Sequence, residues 1–330
     1  MQLRKLVGIA VARLALASLA GLAIAADDIP RTPWGDPDLR GTWDFATIAP
    51  LERPEAYKDK EFITLEDKAA IEKYVAERRA VPDSTTFEGQ GDVDVGYNSF
   101  FLDGGNTFNA TMRTSQIIDP NTGYLPARTQ EAKDRRKAWQ AALSRPPRGA
   151  EDRTPAERCL LGFNSGPPYT PGAYNNFVEI FQTRDSVAFH AEMVNDHRVI
   201  PTLPVPPLPD NMRLWKGNSS GAWDGDTFVV VTTNFNPQTR AFGTTEDLKL
   251  TEKFKRLSKE RLLYQYTIDD TRTYATAWTG EFEMVLTDKQ MFEFACHEGN
   301  YSMPMMLEGA RKEEREGKTD NTWLPTWHKG

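Results

Sequence analysis

From Phe177 onward, apolar and polar residues alternate with period two, the pattern of strands that bury one face. The stretches 177–183 and 187–193 both show it. The segment Pro201 to Pro209 holds five prolines, which cannot continue a helix and favour an extended path. Further strand patterns follow at 221–234, 248–256, 261–269, 274–286 and 290–297. Their links are short and polar, Asp224-Gly225 and Asp269-Asp270 among them, so neighbouring strands are expected to pair antiparallel. Such a meander hides its edges by curling into a lipocalin-like barrel or a strongly bent sheet.

Before residue 177 the pattern is mixed. Gly41-Thr42-Trp43-Asp44-Phe45 reads as a short strand. A helix is expected over 64–79, with Thr64 as its cap and Asp67 completing an approximate capping box. Residues 81–110 carry Gly91, Gly96, Gly104 and Gly105 among Asp and Asn and read as a long loop with short strands. Thr114–Ile118 and Tyr124–Pro126 flank Asp119-Pro120-Asn121-Thr122-Gly123, which reads as a hairpin turn. A second helix is expected over 129–143, charged on one side with Trp139 and Leu143 on the other, and a terminal helix over 306–316. The fold class is therefore mainly β with a few helices (α+β), a 27–157 helix-and-loop part packing on a 158–330 antiparallel meander as a single β-rich domain.

Residues 1–26 stand apart. Arg4 and Lys5 precede an apolar run from Leu6 to Ala25, broken by Arg13, and Ala23-Ile24-Ala25 is an A-x-A site. This predicts a cleaved secretory signal peptide rather than a membrane anchor, because Arg13 leaves the uninterrupted run short of the ~18 residues a span needs. The expected location is periplasmic or secreted, with no membrane span in the mature chain.

Composition narrows the function classes. The 330 residues are 39% hydrophobic and 26% charged, ordinary for a globular protein. A formal charge of −7 argues against a general nucleic-acid binder. Two cysteines exclude a disulfide scaffold or a Cys-rich metal site. In an oxidising compartment Cys159 and Cys296 are expected to join, stabilising by ~4–5 kcal/mol in the chain-entropy model; two buried free thiols are the alternative. Nucleotide loops, an HExxH pair and a Gly-x-Ser-x-Gly elbow are all absent.

Three clusters carry candidate chemistry. Cys296-His297-Glu298-Gly299-Asn300-Tyr301 would follow a strand, with His297 as acid/base and Glu298 its carboxylate partner. The alternative is a His bonded to a backbone carbonyl and a Glu capping a turn. His190, Glu192, Asp196, His197 and Arg198 form the second group. His190 and Glu192 would share one strand face, Asp196 with His197 would serve acid–base work, and His190, Glu192 and His197 are weak candidates for a metal. Trp215 and Trp223 either wall a pocket or pack in the core. Glu252 and Arg256 lie on one strand face, paired across a lumen or solvated.

Trp34-Gly35-Asp36-Pro37-Asp38-Leu39-Arg40-Gly41-Thr42-Trp43, Trp223-Asp224-Gly225-Asp226-Thr227 and Ala295-Cys296-His297-Glu298-Gly299-Asn300-Tyr301 together resemble a large group of secreted bacterial proteins to which no activity is assigned. That pattern has a His where this chain has Asn195. Gly41-Thr42-Trp43 is also similar to the G-x-W of lipocalin-like (calycin) barrels, which hold small, often apolar ligands.

The leading expectation is an extracytoplasmic, cofactor-independent acid–base enzyme of the lyase, isomerase or hydratase type acting on a small organic substrate. His297, Glu298, Asp196 and His197 would be catalytic. Arg158, Arg198, Trp215, Trp223, Asn300 and Tyr301 would bind the substrate. The alternatives are a non-catalytic small-molecule carrier, and a cell-envelope interaction protein docking through 201–209. No cofactor or metal is expected, and the oligomeric state stays open.

Overall fold

The computed structural model describes residues 29–79, 103–105, 107–108, 111–239 and 241–317. The leader at 1–26 and most of the 81–110 loop lie outside the described residues.

The described residues form one antiparallel sheet of ten strands: β1 (Gly41–Asp44), β2 (Ile117–Asp119), β3 (Phe177–Gln182), β4 (Ser186–Ala191), β5 (Asp196–Pro201), β6 (Asn218–Asp224), β7 (Thr227–Thr233), β8 (Lys249–Arg256), β9 (Arg261–Asp269) and β10 (Trp278–Thr287). The order across the sheet is β5-β4-β3-β1-β10-β9-β8-β7-β6, with β2 also on β10. The first part of the chain thus supplies two strands to the sheet itself. Gly41 makes the close approach of β1 and β10 possible. Its φ is +129°, and a Cβ there would lie 2.5 Å from Leu286 Cδ1.

Alternation sets which side chains turn inward. Phe189, Phe228, Phe254, Tyr264 and Phe282 are each almost fully buried, and with Trp43 they build the core inside the curve of the sheet. The expected lipocalin-like barrel is corrected in one respect: the ladder ends at β5 and β6 and does not close. The sheet nevertheless bends back on itself. Arg198 of β5 reaches Glu252 of β8 at 2.8 Å, although five strands separate them along the ladder. A Cβ on Gly221 of β6 would lie 3.1 Å from Ile200 Cγ2 of β5, so side chains rather than a backbone ladder fill the seam.

Among the described residues there are four α-helices beside the sheet: α1 (Leu65–Arg79), α2 (Gln130–Leu143), α3 (Cys296–Gly299) and α4 (Ser302–Arg315). The start of α1 is a reciprocal box. The Asp67 N–H donates to Thr64 Oγ1 at 3.0 Å, and the Thr64 N–H donates to Asp67 Oδ2 at 3.1 Å. Thr129 caps α2 by accepting the Ala132 N–H at 3.1 Å. Cys159 and Cys296 form a disulfide.

Three expectations are corrected. The turn at Asp119–Gly123 forms, with the Gly123 N–H on the Pro120 carbonyl at 3.2 Å, but no hairpin grows from it. β2 pairs instead with β10 through Gly280 and Thr279, which buries Ile117 in the core. The 290–297 segment is not a strand. Both sides of β10 are occupied, and Phe292 is 68% exposed. Finally, β4 ends at Ala191, before Glu192, and the chain turns through Val194 and Asn195 at φ 53° and 50° into β5.

Candidate functional site

Inside the curve, alternation points polar groups of β5, β8 and β9 at one another. Arg198 Nη1 lies 2.8 Å from Glu252 Oε2, and the Glu252 side chain is fully buried. The Tyr264 hydroxyl donates to Glu252 Oε1 at 2.8 Å and accepts the Tyr169 N–H at 3.1 Å. The guanidinium also faces the rings of Phe189 and Tyr169, at 5.5 and 5.9 Å. Burial disfavours the charged guanidinium, and the Glu252 carboxylate outweighs it, holding Arg198 protonated above its usual range. Burial raises the Tyr264 and Tyr266 hydroxyls, so both stay neutral. Arg198 Nε and Nη2, the Tyr266 hydroxyl and Trp278 Nε1 have no hydrogen-bond partner among the described residues.

At one end of this interior, the short turn Ala241–Gly243 lays Phe242 over the aromatic stack. Its ring lies parallel to Tyr266 (5.9 Å, 9°) and edge-on to Trp278 (4.9 Å, 84°). Phe242 has φ 54°, the left-handed region that costs a bulky residue energy. Its carbonyl is anchored by Tyr274 Oη at 3.0 Å and Arg128 Nη1 at 3.2 Å.

Three clefts meet around this turn. One, of about 320 Å³, is lined by Trp139, Phe163, Pro167, Pro168, Trp215 and Phe242, with Thr154, Gln238 and Thr239 as polar points. Among the described residues, no ionisable side chain lines it. A second, of about 410 Å³, runs past Gln116 to Phe242 and Tyr266. A third, of about 630 Å³, opens along α2 beside Trp139.

The sequence-predicted residues are only partly brought together. Arg158 and Trp215 meet: the guanidinium lies 5.6 Å from the indole ring and donates to Gln238 Oε1 at 2.6 Å. Both therefore stand at the edge of the aromatic cleft. Trp223 packs on Phe228 at 5.3 Å, at the margin of the core. Arg198 lies inside the sheet, not at its mouth. His297 and Glu298 are exposed on α3, so they do not stand at a strand end, and neither lines any of the three clefts. Tyr301 is 72% exposed, and Asn300 donates to the Glu157 carbonyl at 2.9 Å beside the disulfide.

Asp196 pairs with Lys216 Nζ and accepts the His197 backbone N–H at 2.9 Å, while the His197 ring is exposed. His190 Nε2 bonds Asn195 Oδ1 at 2.7 Å. Glu192 is buried and accepts the Phe292 N–H at 3.0 Å, so it does not share a strand face with His190. Among the described residues no group of three or more His, Cys, Asp or Glu side chains could hold a metal. Glu252 and Arg256 do share a face but do not pair with each other. Arg256 caps the carbonyls of Asp38 and Ser258, at 2.5 and 2.7 Å, and covers the Trp43 ring at 4.8 Å.

Phe242, Phe163, Gln238 and Trp139 are among the residues that sequence reasoning left out of the site. Trp139 was visible as the apolar side of α2, but Phe242 sits in a loop without periodicity. No protein-family model, curated protein or solved structure matches this chain.

Proposed function

We propose that this is an extracytoplasmic small-molecule-binding protein, a carrier that seats its ligand in the cleft between Trp139, Phe163, Trp215 and Phe242. The observation that supports the reading is the make-up of that cleft among the described residues: aromatic and proline walls, three neutral polar side chains and no ionisable one. Ligand pockets are of this kind, apolar with few placed polar groups and typically ~300–1,000 Å³. An acid–base enzyme needs a titratable group within reach of its substrate. Among the described residues, none of the three clefts is lined by a histidine, and the only carboxylates, Glu151 and Asp152, border the groove along α2 rather than the aromatic cleft. The disulfide fits an oxidising compartment. Among the described residues no helix is long and apolar enough to cross a membrane.

N-phenyl-1-naphthylamine, a neutral aromatic probe, tests the reading by its own fluorescence and by quenching of tryptophan. Saturable binding is expected, weakened about tenfold or more by Phe163→Ala and untouched by Phe292→Ala, with the probe recovered unchanged. Phe163 is 48% exposed, so its truncation leaves the core intact. Equal binding by wild type and Phe163→Ala would displace the ligand from this cleft, and a turned-over probe would overturn the carrier reading.

A further inference from the structure

The ligand cleft does not end at Trp139. The same indole forms part of the wall of the 630 Å³ groove along α2. Ala132, Arg135, Arg136, Trp139 and Ala142 follow one another at helical spacing, so a single face of α2 borders this groove. Small residues keep it open, and Arg128, Arg135 and Arg136 give it charge.

The charges in the groove are not balanced. Arg128 is spent on the Phe242 carbonyl and the Tyr274 ring, 5.1 Å away. Arg135 donates to Glu131 at 2.9 Å and to Thr273 Oγ1 at 2.8 Å, but Glu131 is shared with Arg272 at 2.7 Å. Of the two acidic residues in the groove wall, Asp152 is held by both terminal nitrogens of Arg145, at 2.6 and 2.8 Å. The Arg136 side chain makes no hydrogen bond and no ion pair among the described residues. Glu151 is the one opposing carboxylate not engaged in an ion pair there. A guanidinium in a concave, half-apolar wall pairs with planar anions through two parallel N–H bonds.

We propose that the ligand is an amphipathic anion, an aromatic or otherwise apolar body carrying a carboxylate or sulfonate. The body lies in the aromatic cleft, and the acidic group crosses Trp139 to Arg136, with Arg128 and Arg135 adding to the field. This rests on the carrier reading and adds the chemical class of its ligand. It also gives α2 a purpose beyond covering the sheet.

A matched probe pair separates the two claims. 8-Anilinonaphthalene-1-sulfonate is N-phenyl-1-naphthylamine with one sulfonate added. Wild type is expected to bind the anionic probe about tenfold tighter than the neutral one, the scale of one charge-assisted contact. Arg136→Gln should remove that advantage and leave neutral-probe affinity within about twofold. Glu151→Gln should strengthen anionic binding, and added salt should weaken it. Arg136 is exposed on α2, so its substitution leaves the fold intact. Equal affinity for both probes, or an anionic preference that survives Arg136→Gln, overturns the proposal while the cleft stands. Failure of both probes to bind overturns the carrier reading as well.

Discussion

Replacing Glu252 by glutamine probes the interior of the sheet. Glutamine keeps the shape and still accepts from Tyr264 Oη, now 2.8 Å from Glu252 Oε1. It removes only the negative charge. Arg198 then remains charged, 8% exposed, with no carboxylate beside it. Breaking a buried pair from one side costs about 3–5 kcal/mol, because the surviving charge is uncompensated. Removing both charges with Arg198→Met/Glu252→Gln should restore most of this, leaving a deficit of about 1–2 kcal/mol from the lost ring contacts of the guanidinium. Urea unfolding followed by tryptophan fluorescence measures the difference. With a slope of about 3 kcal/mol per molar, the single variant should unfold about 1–1.7 M earlier than wild type, and the double variant close to it. A single variant within about 1 kcal/mol of wild type would refute the reasoning, since Arg198 would then be stabilised by something other than Glu252. A double variant as weak as the single one would refute it equally.

Two further predictions concern the outer parts of the molecule. The disulfide spans 137 residues, so Cys159→Ser/Cys296→Ser should lose up to about 5 kcal/mol in the chain-entropy model; wild type in reductant should match the variant, and equal urea midpoints in oxidised and reduced wild type would exclude the effect. The Arg145 guanidinium holds the Asp152 carboxyl below its usual range, so that group contributes stability above about pH 4 and loses it as the pH falls through its lowered folded value. Asp152→Asn should therefore melt below wild type at pH 7, with the two converging toward pH 2, and a gap that stays constant with pH would contradict the assignment.

Much of the sheet was legible because alternation is a local property. β7 to β10 lie where period-two patterning puts them, and Thr64 and Thr129 announce their helices through the hydroxyls that cap them. What failed depended on distant partners. The 290–297 stretch alternates like a strand, but β1 and β9 already flank β10. β5 was hidden because the turn before it puts Val194, a β-branched residue, in left-handed backbone that no local signal foretells. The site was less legible still. Glu252 and Arg256 share a face, which local spacing shows, yet curvature gives Glu252 to Arg198 and sends Arg256 to carbonyls near Trp43. His297 and Glu298 attract attention as a pair of reactive types, while the cleft is built from aromatic rings and prolines whose meeting no spacing encodes.

The place of β1 has a consequence for the timing of synthesis. A chain is made from its N-terminus, so residues 41–44 emerge long before their neighbours. β1 pairs with 177–180 on one side and with 285–287 on the other, Thr42 facing Thr287. The first strand made is thus held in the middle of the sheet by nearly the last. Until β10 has been made, β3–β5 and β6–β9 are two meanders with no backbone ladder between them, and Trp43 has only one side of its final surroundings. Closing loops of that length costs entropy before any contact repays it, which makes assembly slow and late. A ribosome-bound chain therefore carries an exposed strand edge, and the ladder becomes continuous only when residue 287 arrives.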